Sequence, residues 1–356
     1  MQWIAYFVVP LILSTILTPI VNWIALKLDI YAHINERTIH TGKIARIGGV
    51  AIYVAFILTM TYYFSDGIDN AIQGLLIGSA IMFFGGLLDD IVDLKPLVKL
   101  MFQIIATIVL IKIGGIELGI IHLPLGIVID MGIVSLLVTF IWVIGITNAI
   151  NLIDGLDGLA GGVSTIVFLT IAATSIADNR PDIAIISLII AGSTMGFLFF
   201  NIYPAKLFMG DCGALFLGFI VAAISLMGFK GSTFITLGFP MLLLAVPIID
   251  TLSAMVRRLV GGKKFTDADK GHFHHVLMRR FGHRNTVLII YAITFAFGIS
   301  AYIYIMNKTI GLILVALLFF ALELFIEKTH MISEKYHPFL SIFDKIFNRN
   351  KNDAKK

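Results

Sequence analysis

Charge is the scarcest property of this sequence. Only 13% of its 356 residues are Asp, Glu, Lys or Arg, about half of the ~25% usual for soluble domains. Hydrophobic residues make up 58%, and mean hydropathy is +0.97. A chain so short of polar surface cannot cover itself in water, which excludes an ordinary soluble enzyme. Cysteine is nearly absent too: Cys212 stands alone, so neither a disulfide framework nor a multi-cysteine metal site is available. The formal charge of +4 is too small to suggest a nucleic-acid partner. The first apolar run lacks a basic leader and a small-residue cleavage site, and it is too long for a signal peptide, so it reads as a first span.

What is present is a series of long apolar runs. About 20 such residues cross a bilayer as a helix. Eleven spans are expected, near 3–26, 47–64, 71–88, 97–113, 131–148, 158–177, 183–200, 213–229, 234–256, 286–306 and 310–327. The fold expected is therefore an all-α integral membrane bundle. Between the fourth and fifth spans, residues 116–130 alternate loosely around Leu123-Pro124-Leu125-Gly126 and suggest a small hairpin on the outer surface. Basic residues favour the cytoplasmic side. Loops after odd-numbered spans, with the tail, hold 22 of the 26 Lys and Arg; the other side has only Lys112, Arg180, Lys230 and Lys308. The N-terminus is thus expected outside and the C-terminus in the cytoplasm. Residues 1–330 read as one polytopic unit, and 331–356 as a basic cytoplasmic tail suited to anionic lipid.

The cytoplasmic segments carry polar clusters. Lys43 and Arg46 precede paired glycines. Asp89-Asp90 follow an apolar run, with Asp93, Lys95 and Lys99 after them. Two adjacent carboxylates at the membrane edge repel, so a raised pKa on one of them is expected, or a cation between them. Asn148, Asn151, Asp154 and Asp157 recur every three residues; Gly155 and Gly158 suggest a loop that gathers all four. Asp211 lies between Gly210 and Gly213, either as a helix cap or as a ligand for Mg²⁺. Phe208 is either a span-edge aromatic or a platform for a base. His272, His274 and His275, with His283 close by, sit in a segment rich in Lys and Arg, including Arg279. That company favours an anion site over zinc. Asp250 follows Pro247 inside the ninth span.

In combination these motifs resemble the polyprenyl-phosphate N-acetylhexosamine-1-phosphate transferases. They are Asp89-Asp90 with Asp93, Asn148-x-x-Asn151-x-x-Asp154-Gly-x-Asp157-Gly, Phe208-Met-Gly-Asp211-x-Gly213 and His272-x-His274-His275. The interrupting Phe273 resembles the branch that uses UDP-N-acetylglucosamine rather than the MurNAc-pentapeptide nucleotide. The resemblance implies transfer of a sugar-1-phosphate to undecaprenyl phosphate at the cytoplasmic face, with UMP leaving. It also implies Mg²⁺ (or Mn²⁺) on Asp211 and Asn151, and Asp157 and Phe208 at the uracil end. Asp89, Asp90 and Asp154 are the expected catalytic carboxylates. Lys43, Arg46, Asp93, Lys95, Lys99, Asn148, Asp250, His272, His274, His275 and Arg279 are expected to bind substrate, and a homodimer is admitted. Asp89 and Asp90 admit an aspartyl-phosphate intermediate or a one-step transfer. A phosphate monoester is largely dianionic at neutral pH, so direct attack is the favoured reading. A secondary transporter, a function of another class, would place its polar groups near the midplane; here they gather at one face.

Overall fold

The computed structural model describes residues 2–31, 44–65, 67–122, 128–227 and 273–329, with 339 and 341. The described residues are almost entirely helical. In order they form α1 (Gln2–Lys27), α2 (Gly49–Tyr63), α3 (Asn70–Val92), α4 (Pro96–Lys112), β1 (Ile120–His122), β2 (Val128–Asp130), α5 (Ser135–Ile153), α6 (Leu159–Ala177), α7 (Pro181–Asn201), α8 (Gly210–Met227), α9 (Phe273–Phe281), α10 (His283–Met306) and α11 (Lys308–Thr329). An apolar solvent leaves a backbone nothing to bond but itself, so long apolar runs fold as helices. Hydroxyls inside the runs follow the same rule. Thr59, Thr107 and Thr194 donate to the carbonyls of Ala55, Gln103 and Ile190, one turn back.

Eight of these helices are long and apolar enough to cross a membrane: α1, α3, α5 with its leading turn, α6, α7, α8, α10 and α11. The expected second and fourth spans are the shorter helices α2, of 15 residues, and α4, of 17. The expected ninth span, 234–256, lies outside the described residues. β1 and β2 pair antiparallel, Ile120 opposite Asp130 and His122 opposite Val128, on either side of the Leu123–Gly126 stretch.

Two boundaries differ from the sequence reading. The third helix does not stop at Leu88 but runs to Val92, where Asp93 turns left-handed at φ +50° and Pro96 opens α4. The fifth runs to Ile153, so Asn148 and Asn151 lie on a helix rather than in a loop. No residue between them breaks a helix; Gly155 is the first that does.

At the centre stands α8. It packs on α2, α3, α5, α6 and α7, and 94% of its span is buried, against 22% for α1 and α11 at the edge. Small residues permit this crowding. A Cβ on Gly49 would strike the backbone of Gly213, and one on Gly86 would lie 2.5 Å from the carbonyl oxygen of Asp211. Backbones approach that closely only where side chains are missing. The outer helices present apolar side chains outward, Ile12, Ile16 and Trp23 on α1 and Ile313 and Leu317 on α11, as lipid-facing surfaces require.

Candidate active site

The ends of α2, α3, α4, α5 and α8 meet at one end of the bundle, and charged side chains gather there. The arrangement begins with backbone. Residues 45–49 run beside 208–209: Phe208 N–H donates to the Ala45 carbonyl, Gly48 N–H to that of Phe208 and Gly49 N–H to that of Met209, at 2.8–2.9 Å. Gly210 then turns with φ +74°, and a side chain there would meet the carbonyl of Arg46. The turn delivers the N-terminus of α8 to α3. There the Asp90 carboxylate, with no exposed side-chain surface, accepts from Asp211 N–H and Cys212 N–H, both at 2.9 Å. Asp90 thus caps another helix, satisfying two donors that a helix start leaves unpaired. Asp211 is inside the first turn of α8 and is not its cap.

Around this cap lies an ion cluster. Lys99 Nζ sits 2.5 Å from Asp89 Oδ2 and 2.7 Å from Asp211 Oδ2. Arg46 reaches Asp90 at 3.3 Å, Asp211 at 3.6 Å and Asp93 at 3.8 Å. Lys99 thus stands beside Asp89 and Arg46 beside Asp90. Burial disfavours the charged Arg46 guanidinium. The charges of Asp90, Asp211, Asp89 and Asp93 outweigh that and raise its pKa above the ordinary value. Asp89 is also held from behind by Leu94 N–H at 2.7 Å, the residue just past the end of α3.

Asp154 closes the fifth helix as its C-cap residue. Its carboxylate makes no hydrogen bond or ion pair among the described residues. Burial, and then the negative charges of Asp211 and Asp90, push its pKa well above the ordinary range, with Arg46 opposing. Five carboxylates, Asp89, Asp90, Asp93, Asp154 and Asp211, here surround two cations, Arg46 and Lys99. Among the described residues no three His, Cys, Asp or Glu side chains form a ready-made metal cage. Mg²⁺ seldom uses one. It takes one or two carboxylates and completes its shell with water and substrate phosphate. Asp211 and Asp154, near enough for their charges to act on each other, could supply the carboxylate oxygens for such an ion.

Asn148 is engaged elsewhere. It exchanges two hydrogen bonds with Gln103, at 3.0 and 3.1 Å, and donates a third to the Ile144 carbonyl. Gln103, buried on α4, was not expected from the sequence; a lone amide amid the apolar run 97–111 was its only signal. The pair ties α4 to α5 one turn below Lys99 and Asn151. Asp157 is buried, and its carboxylate accepts from Ala205 N–H at 3.0 Å. Asn201 bridges the same two loops, accepting from Gly158 N–H at 3.0 Å and donating to the Leu207 carbonyl at 2.9 Å. Phe208 is half-buried beside them. Asn201 and Tyr203 open the polar segment of the sequence that ends in Asp211, and His283 follows the histidine cluster; Tyr291, which nothing in the sequence marked, stands with them on the same side of the site.

Lys95 is exposed where α4 begins, and Arg279 is exposed in the last turn of α9. His274 and His275 belong to α9 by backbone. Lys43, Asp250 and His272 lie outside the described residues.

A profile of glycosyl transferase family 4 matches residues 72–229, the stretch that holds Asp89, Asp90, Asn151, Asp154 and Asp211. A "Probable undecaprenyl-phosphate N-acetylglucosaminyl 1-phosphate transferase" of Bacillus subtilis (strain 168) is 37% identical over 352 residues, 97% of each chain. This chain belongs to glycosyl transferase family 4. Two more members widen the comparison. An undecaprenyl-phosphate alpha-N-acetylglucosaminyl 1-phosphate transferase of Thermotoga maritima is 30% identical over 81% of this chain and 86% of its own. A phospho-N-acetylmuramoyl-pentapeptide-transferase of Streptococcus uberis is 31% identical over 64% and 71%.

Proposed function

We propose that this enzyme transfers N-acetylglucosamine-1-phosphate from UDP-N-acetylglucosamine to undecaprenyl phosphate, releasing UMP. The near full-length similarity to the Bacillus subtilis relative carries the reading, and the ion cluster supplies its chemistry. An oxygen of the lipid phosphate attacks the β-phosphorus of the donor. A new phosphoanhydride forms as the bond to UMP breaks, so one anhydride replaces another and the equilibrium constant is near one. The obstacle is electrostatic: a phosphate dianion must approach a charged diphosphate.

The chain's residues divide that work. Lys99 and Arg46 are the cations nearest the reacting phosphates, and Asp89 and Asp90 set their positions. Asp90 holds the turn that presents Asp211, and its commitment to two backbone donors supports one-step transfer over an aspartyl-phosphate on that residue. When bound, Mg²⁺, held by Asp211 and Asn151 with Asp154 close by, would neutralise the diphosphate. Phe208 and Asp157 are assigned to the uracil end, and the histidines of 272–275 with Arg279 to outlying phosphate charge. With the eleven spans that the apolar runs give, the basic-residue count supports an outside N-terminus and a cytoplasmic site. The β1–β2 ribbon then lies outside the cell.

The test is UMP release by purified protein with undecaprenyl phosphate and UDP-N-acetylglucosamine, beside UDP-N-acetylgalactosamine and an Asp211→Asn variant. The reading expects lipid-dependent UMP from the first donor, abolished by chelation and by the substitution. UMP from the second donor alone would reassign the sugar. No UMP from either would remove the proposed reaction.

A further inference from the structure

The first three turns of α10 hold the two loops of the site, where the sequence offered only His283 beside the histidine cluster. His283, the first residue of α10, stacks on Tyr203 with ring centroids 4.4 Å apart and planes inclined by 27°. Its Nε2 lies 3.4 Å from the carbonyl of Asp157. Two turns on, the hydroxyl of Tyr291 donates to the next carbonyl, that of Gly158. A side chain at Gly162 would collide with the Tyr291 ring. One helix face therefore grips successive carbonyls of the loop after Asp154. It also reaches, through Tyr203, the loop that leads to Phe208. His283 directly follows Gly282, whose φ of +76° joins α10 to the histidine-bearing α9.

We propose that His283 and Tyr203 are positioning residues for the nucleotide-sugar donor, fixing α9 and the two loops as one unit. The inference rests on the function proposed above. Its restriction to the donor follows from what α10 touches. Its main packing partners are α6, α9 and α11, whereas Asp89, Lys99 and Asp211, assigned to the phosphates, stand on α3, α4 and α8. An aromatic stack of this kind contributes about 0.5–1.5 kcal/mol beyond burial, which corresponds to about two- to tenfold in an equilibrium constant.

The experiment measures KM for UDP-N-acetylglucosamine and for undecaprenyl phosphate in full-length wild type, Tyr203→Ala, His283→Ala, the double variant and His283→Phe. Both single variants are expected to raise donor KM about two- to tenfold, with lipid KM unchanged. The double variant should do no worse than the poorer single, and His283→Phe should recover most of the loss by keeping the ring. Equal rises in both KM values, additive effects in the double variant, or unchanged KM with an intact thermal transition would each overturn it. Should wild type release no UMP, the proposed reaction fails separately. The stack is then judged by a double-mutant cycle on Tm, where coupling between Tyr203 and His283 supports it and additivity overturns it.

Discussion

Lys99 makes two ion pairs at once, and its neighbours depend on it more than it depends on them. Asp89 is nearly fully buried, and Asp211 shows only 13% of its side chain. Replacing Lys99 with Met removes the one ammonium between them and leaves two desolvated carboxylates facing each other. A buried group stripped of its partner costs about 1–3 kcal/mol, so Lys99→Met should melt earlier in detergent. It should also lose at least about tenfold in UMP release. A wild-type melting curve for that variant would remove the ion pairs from the account of stability. Asp90 makes a subtler case. Asn keeps a single acceptor oxygen for two N–H donors and gives up the charge, so Asp90→Asn should lie between wild type and Asp90→Ala in Tm. Equal melting of Asn and Ala variants would mean that the charge, and not the remaining oxygen, carries the cap.

Among elements, the decisive contact is that of α8 with α2 and α3. Gly86→Ala would press a methyl group onto the backbone at Asp211 and Cys212. Overpacking of that kind costs about 1–3 kcal/mol, and it would shift the turn that carries Asp211. At Gly145, on α5, an added methyl group would meet nothing within 4 Å, so Gly145→Ala should be neutral or stabilise by up to about 1 kcal/mol. Melting curves and UMP release on both variants check the contrast: a harmless Gly86→Ala would refute the close approach. The sequence made the helices themselves legible, because apolar length and period-free hydrophobicity are local properties. It misjudged two ends, at Asp89-Asp90 and at Asn148–Asn151, since polar residues near a membrane edge do not stop a helix that no Gly or Pro interrupts. The charged motifs were legible as candidates but their pairings were not. Asp90 and Asp211 are 121 residues apart, and nothing local to either says that one caps the helix of the other. Gln103 and Tyr291 went unnoticed for a related reason: the significance of each lies wholly in what stands opposite.

For the whole molecule, the asymmetric distribution of Lys and Arg implies an orientation that labelling can check. The native Cys212 is fully buried, so a membrane-impermeant thiol reagent should leave the folded wild type unmodified and react after denaturation. In a Cys212→Ala background, Gln2→Cys should be labelled in intact cells and Lys355→Cys only in inverted vesicles. Labelling of both from the same side would overturn the topology.

The enclosed position of α8 has a consequence for how the protein is made. Chains emerge N-terminus first, so α2, α3, α5, α6 and α7 reach the membrane before the helix they surround. α8 must enter a slot already bounded on several sides, and its run of Gly210, Gly213, Ala214, Gly218, Ala222 and Ala223 makes it slender enough to do so. With it come Asp211 and the two N–H groups that Asp90 accepts. Until that insertion Asp90 lacks the two backbone donors that α8 brings, and the ion cluster is completed in the same event that closes the bundle.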